Sequence, residues 1–325
     1  MPRNIDNSMV LVMGITGSGK SRFVNLLRAG AAREGPDLAS TTKECQIVPI
    51  QVGSELVHVV DTPGFDDTTN SDAKTLQSIT NFLGTQYALG IVLKGIIFLH
   101  RITDIRMQGS ALKSMTMFKD VCGDHALKNV ILLTTFWDLL EDQSVGARRQ
   151  QQLRDDFWSD MIAKGSYVRR FNGTAGMAEA LIIRLMGKEP MVLKIQRDVM
   201  QHRMRLEDTA AGERIMAIME QSLRQKGEEL NDLEMQMLEA DDEQFSQLAR
   251  QWWECKEEES KQRQRIHSVR QILEAEMGQE IVKKVKKQKR KFRFRDNIQL
   301  FANILGLVIS ATTNVVLPLL GGIGL

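Results

Sequence analysis

The chain has 325 residues, 42% hydrophobic and 26% charged, enough apolar content to bury a full core with room for more than one domain. With 43 Lys and Arg against 41 Asp and Glu, the net charge of +2 excludes a generally polycationic or polyanionic protein. Three cysteines, Cys45, Cys122 and Cys255, share no metal-ligand spacing and suggest no disulfide framework; residues 1–8 are polar and do not read as a signal peptide, so a reducing cytoplasmic compartment is expected.

The first predicted element is a buried strand at 8–14, ending in Gly14-Ile15-Thr16-Gly17-Ser18-Gly19-Lys20-Ser21. This run meets the pattern G-x-x-x-x-G-K-[ST] at every fixed position, and a helical stretch, Arg22-Phe23-Val24-Asn25-Leu26-Leu27, follows it. In such a loop the glycines turn backbone N–H groups inward around a polyphosphate at a helix N-terminus. Lys20 would reach the β- and γ-phosphates and the Ser21 hydroxyl a Mg²⁺ position. Gly14, Thr16, Gly17, Ser18, Gly19, Lys20, Ser21 and Arg22 are therefore candidate nucleotide-binding residues. A polar loop, Ser40-Thr41-Thr42-Lys43-Glu44-Cys45, precedes a strand at 46–52; a Thr hydroxyl in this loop could cap Mg²⁺ and sense a γ-phosphate. The next strand, 55–61, ends in Asp61-Thr62-Pro63-Gly64. An Asp at that tip suits the Mg²⁺ site, and Gly64 leaves its N–H free to approach the γ-phosphate.

Strands near 94–100, 129–135 and 166–171 alternate with helices near 72–83, 106–120, 147–164 and 175–187. In 147–164, Leu153, Phe157, Met161 and Ile162 share one face. The alternation predicts an α/β fold with a mostly parallel sheet. Arg101 and Arg106 leave the strand 94–100 at the edge where such sheets bind ligands, which makes them candidate arginine fingers beside the reading as ordinary surface arginines.

The segments Gly14 to Ser21, Ser40 to Cys45, Asp61-Thr62-Pro63-Gly64-Phe65-Asp66-Asp67 and Thr135-Phe136-Trp137-Asp138 together resemble the immunity-associated AIG/GIMAP-type GTPases, relatives of the septins and the chloroplast-envelope Toc GTPases. The stretch His100-Arg101-Ile102-Thr103-Asp104-Ile105-Arg106-Met107 resembles the fungal branch of that group, and the likeness spans roughly residues 8–187. It implies a Mg²⁺-dependent domain that binds GTP and GDP, often dimerises across its nucleotide face and often sits on membranes. By the same resemblance Thr42 is the switch-one Mg²⁺ ligand, Asp61 and Gly64 form switch two, and Asp138, in the motif opened by Thr135, holds the guanine. The chain departs from the wider pattern twice. Phe136 and Trp137 replace the Lys-containing middle of the guanine motif, and either ring could stack on the base. Phe65 stands where Ras-like enzymes carry a water-positioning Gln, so slow intrinsic turnover is expected, with Lys20, Thr42, Gly64 and an arginine as the catalytic candidates.

The expected domain organisation is a GTPase domain at 1–188, closed by Gly187-Lys188-Glu189-Pro190, and then a helical extension at 189–282, a polybasic linker at 283–297 and an apolar tail at 298–325. No proline occurs between Met191 and Arg295, and Asp208-Thr209-Ala210-Ala211-Gly212-Glu213 reads as a stop followed by a new N-cap. A single helix of ~80 residues would span ~120 Å as a dimerising coiled coil. A helical hairpin folded back on the first domain fits the same pattern. Residues 283–295 hold nine Lys or Arg and no acid, and 298–325 are 28 uncharged residues, long enough to cross a bilayer with the basic run on the cytoplasmic side. Asn303, Thr312, Thr313, Asn314 and Pro318 interrupt that apolar stretch, and burial against protein is the alternative. Nucleic acid is not an expected partner, because the basic run carries only Phe292 and Phe294 as aromatics and no recognisable module. The combined expectation is a GTP-binding assembly switch, homodimeric through its nucleotide face or extension and attached by 283–325 to an intracellular membrane; a non-hydrolysing scaffold and an ATPase are the alternatives.

Overall fold

The computed structural model describes residues 8–30, 45–53, 55–64, 69–105, 107, 109–291 and 297–305. Thr42 and its loop, Phe65, Arg106, Phe292, Phe294 and residues 306–325 lie outside them.

The first strand, β1 (Ser8–Gly14), is buried along its whole length, as an unbroken apolar run covered on both faces should be. It leads through a turn into α1 (Lys20–Leu27). The strands β2 (Gln46–Val52), β3 (Glu55–Asp61), β4 (Val92–Arg101), β5 (Val130–Thr135) and β6 (Tyr167–Arg170) complete one sheet in the order β2-β3-β1-β4-β5-β6. The edge strand β2 runs antiparallel to β3, and every other pairing is parallel. Side chains alternate across the sheet. Met9, Leu11 and Met13 face one apolar cluster with α2 (Thr69–Ala88) and α3 (Ser110–Cys122), while Val10 and Val12 face another with α1 and α6 (Ala175–Met186). Because β1, β3, β4 and β5 are parallel, Gly14, Asp61, Arg101 and Thr135 all emerge at one edge, the edge where open α/β sheets take ligands.

The expected helix at 147–164 is built in pieces: α4 (Gln143–Gln152), a π turn at Leu153–Phe157, and α5 (Ser159–Ala163). The Trp158 N–H donates to the Leu153 carbonyl at 2.7 Å, and its ring is fully buried. The break at Gly187–Pro190 is itself tied down. Met191 N–H donates to Leu93 O at 2.9 Å, and Asn129 Nδ2 bridges the Lys94 and Glu189 carbonyls at 2.8 and 2.7 Å.

Beyond it, a helical turn α7 (Lys194–Gln196) precedes two long helices, α8 (Ala210–Glu239) and α9 (Asp242–Leu273). Thr209 caps α8 by accepting from Gly212 N–H, and Asp241 caps α9 by accepting from Gln244 N–H. The cap at Asp241 reverses the chain, so the single ~80-residue helix is not formed: of the two arrangements left open by the sequence, the hairpin is found. Its base packs on the sheet domain, with Ile215, Met216 and Met219 of α8 and Ile266, Val269 and Leu273 of α9 in the same cluster as α2. Next come α10 (Met277–Lys291) and α11 (Asn297–Leu305), both against α2. Ile281 and Val285 anchor α10, while Phe301 of α11 meets Phe82 edge-on with centroids 4.8 Å apart. The first turns of the uncharged C-terminal stretch therefore pack on protein, with Leu300, Phe301 and Ala302 buried. No helix among the described residues is long and apolar enough to cross a membrane.

Candidate functional site

The loop between β1 and α1 holds its shape through two devices. Gly17 and Gly19 adopt φ of 75° and 93°, a left-handed backbone that residues with a side chain rarely take. Lys20, almost wholly buried, donates from Nζ to the Gly14 and Ile15 carbonyls at 3.0 and 2.9 Å, placing its ammonium across the mouth of the loop.

The neighbouring strand supplies the second half of the site. Val12 pairs with Asp61, and both the N–H and the hydroxyl of Thr62 bond the Val12 carbonyl, at 3.3 and 3.0 Å. This fixes the tip of β3 beside the loop. Ser21 Oγ then donates to Asp61 Oδ2 at 2.7 Å, and Asp61 is fully buried. Gly64 lies directly over the loop; a Cβ there would sit 2.8 Å from the Thr16 backbone nitrogen. Thr16, Ser21, Asp61 and Gly64 are thus brought together. The donor set, one hydroxyl and one carboxylate, is the hard oxygen chemistry that Mg²⁺ takes with few protein ligands. Among the described residues no group of three or more His, Cys, Asp or Glu could cage a metal unaided.

At the end of β4, Arg101 reaches back over the same loop. Its Nε pairs with Asp104 at 3.0 Å, and its Nη1 lies 3.2 Å from where a Cβ of Gly17 would be. The turn carrying it is braced by Ile102 N–H to Thr135 O at 3.0 Å and by Arg149 Nη1 to the Ile102 and Thr103 carbonyls at 3.0 and 3.2 Å. Arg149 had no signal in the sequence, because its partners are backbone atoms brought near by folding. Beside Arg101, His100 is buried, and burial lowers its pKa to about 4; Asp104 opposes that shift and Arg101 adds to it.

The end of β5 closes the site. The Thr135 hydroxyl shares its one proton between the Ser18 carbonyl at 2.9 Å and the His100 carbonyl at 3.2 Å, linking the loop to β4 and β5. Gly19, Arg22, Thr135, Phe136, Asp138, Phe171 and Gly173 line a shallow pocket. Of the two aromatics in the motif only Phe136 faces it, held at φ 59° with its ring against Gly19. Trp137 turns inward instead, buried and donating from Nε1 to Thr134 Oγ1 at 2.9 Å. Asp138 is exposed at the rim, 3.8 Å from Arg22 Nη2. Phe171 and Gly173 complete the pocket through a turn that Asn172 organises by accepting from Thr174 N–H at 3.1 Å. An Asn-Gly-Thr run before a helix is a readable turn and cap signal, although it does not say what the turn lines.

Residues 8–159, just under half of the chain, match the AIG1 family. The solved structures to which the chain is similar include Toc33 from Arabidopsis thaliana in complex with Mg²⁺ and GMPPNP, 17% identical over 57% of this chain and 88% of that one, with a TM-score of 0.46. A structure from work on the dimerisation and GTPase activity of the chloroplast translocon components atToc33 and psToc159 is 16% identical over 57% and 87%, with a TM-score of 0.48. An Era variant from Aquifex aeolicus bound to GDP and AlF4⁻ is 14% identical over 57% of this chain and 58% of that one, with a TM-score of 0.41.

Proposed function

We propose, on the premise that residues 8–159, which match the AIG1 family, form a P-loop GTPase domain, that the chain is a membrane-associated GTP-binding protein whose nucleotide-dependent self-association acts as a switch and stimulates slow hydrolysis. The observation that carries this reading is the Ser21–Asp61 hydrogen bond of 2.7 Å beneath a loop that holds Lys20 at its mouth. That arrangement puts a cation for the β- and γ-phosphates and an oxygen pair for Mg²⁺ side by side. Thr42 would complete the Mg²⁺ ligands, Gly64 N–H would meet the γ-phosphate, and Asp138 with Phe136 would read guanine. Bound Mg²⁺ would supply charge neutralisation at the phosphates. Arg101, whose Nη1 lies near Gly17, would stabilise charge that develops during hydrolysis in cis, and Arg106 is a second candidate. Phe65 in place of a water-orienting Gln supports slow turnover in a single copy.

Attachment to the cytoplasmic face of an intracellular membrane is supported by the sequence of 283–325: nine basic residues within 283–295, then an uncharged stretch from 298. The exposed lysines of α10 are consistent with it. Competition binding of GTP against ATP tests the site. GTP is expected to win in the parent chain. Lys20→Ala should weaken both nucleotides by about 100-fold or more, roughly 3 kcal/mol. Asp138→Asn should remove the preference for GTP, because an amide nitrogen cannot accept from the base. Unchanged affinity in Lys20→Ala would defeat the site, and ATP winning in the parent would make this an ATPase.

A further inference from the structure

The far half of the α8–α9 hairpin carries an apolar face that none of the described residues covers. Its own small cluster, Leu230, Leu233 and Cys255 with Leu248 and Trp252, is separate from the main core. The Trp252 indole N–H donates to Glu234 at 3.0 Å, so these two residues share one side of the hairpin. Leu238 lies one turn beyond Glu234, Phe245 lies two turns before Trp252, and Trp253 meets Trp252 edge-on at 5.0 Å. That side therefore gathers Leu238, Phe245 and Trp253, exposed by 80%, 47% and 67%, with Met235 flanking at 62%. A different groove at the tip is lined largely by glutamines, Gln236, Gln244, Gln247 and Gln251. Apolar exposure on one side of a hairpin, with a polar groove elsewhere, marks a contact surface.

Charge selects the occupant. Residues 228–259 contain 12 acidic and two basic residues, so two tips would repel each other and an anionic lipid surface would repel a tip. The complementary surface is on the same molecule: Lys283, Lys284, Lys286, Lys287, Lys289 and Arg290 are all exposed on α10. Ile281 and Val285 fix α10 in the core at the hairpin's base, whereas the tip stands roughly 30 Å beyond Met219, the last core residue of α8. One chain cannot join its own two surfaces. Lysine and arginine stems can lie along leucine and tryptophan while their charged heads reach carboxylates and ring faces.

We propose that the hairpin tip is a docking surface for the basic α10 helix of a second copy of this chain. Such a contact is heterologous, head to tail, and propagates into a ring or a filament rather than stopping at a dimer. It does not depend on the nucleotide reading.

Sedimentation velocity of the full chain tests it, in neutral detergent and with Lys20→Ala throughout to suppress pairing across the nucleotide face. The parent should assemble beyond a dimer at about 0.05 M salt and dissociate at about 0.5 M, where screening is strong. A tip variant, Leu238→Ser with Trp253→Ser, and a base variant, Lys283→Glu with Lys286→Glu and Lys287→Glu, should each be monomeric. Mixed together they should form a 1:1 complex that grows no further, because each retains one intact half. A second tip variant that alters charge alone, Glu239→Lys with Glu254→Lys, should behave as the first. A parent that stays monomeric, a base variant that still self-assembles, or a mixture that does not pair would each overturn the proposal.

Discussion

His100 is a residue whose ionisation the fold changes strongly. Its imidazole is buried beside Trp158, with ring centroids 6.0 Å apart, while its carbonyl accepts from Thr135 at the nucleotide edge. Burial holds the folded-state pKa at about 4, against 6.5 for the free side chain. Between those values the unfolded chain binds a proton that the folded chain refuses. Stability from this group is therefore fully present above pH 6.5 and is lost as pH falls toward 4, by about 3 kcal/mol in total. Urea unfolding across that range should show a steeper acid loss in the parent than in His100→Gln. Parallel curves for the two proteins would mean that His100 is solvated and ionises normally. Asp61 and Ser21 could be paired from sequence, because a strand-tip Asp beside a phosphate loop has one natural role. The choice between Phe136 and Trp137 could not: two adjacent rings point to opposite sides, and only the left-handed turn at Phe136 decides which one faces the pocket.

At the scale of elements, α2 joins the site to the extension. It starts a few residues after Gly64, and α8, α9, α10 and α11 all touch it. Its tie to α3 is an ion pair between fully buried Asp72 and largely buried Lys113. Breaking a buried pair by removing one member leaves a charge in a medium that cannot solvate it. Lys113→Ala should lower unfolding free energy by about 3 kcal/mol in chemical denaturation, and Asp72→Leu with Lys113→Met should recover most of it. Equal losses in the single and double variants would show that packing, not charge, is what Lys113 contributes. The strands were legible to within about two residues because each is an apolar run that ends in polar or glycine chemistry. The turn between α8 and α9 was not located from the sequence, although Asp241 followed three residues later by Gln244 matches a helix-start pattern. What the sequence did not carry is the partner of the amphipathic face. The same spacing of Ile215, Met219 and Leu223 serves a coiled coil and a hairpin folded on α2, and only the shape of α2 and α3 selects the second.

The whole molecule separates its charges: an acidic hairpin tip, a sheet domain with one ligand edge, and a basic helix followed by uncharged chain. A true membrane span is effectively irreversible, whereas basic residues near an anionic surface contribute roughly 1 kcal/mol each and yield to salt. The full chain should stay with membranes through carbonate and high-salt washes, and truncation after Asp296 should leave only a salt-labile association. Release of the full chain by either wash would place the 298–325 stretch on protein, as its first turns already are. The switch itself is tested most directly by single-turnover GTP hydrolysis with Mg²⁺ over a wide range of protein concentration. The rate constant should be small when the protein is dilute, rise as copies pair, and collapse in Lys20→Ala. No phosphate release at any concentration would contradict the enzyme and leave a nucleotide-bound scaffold in its place.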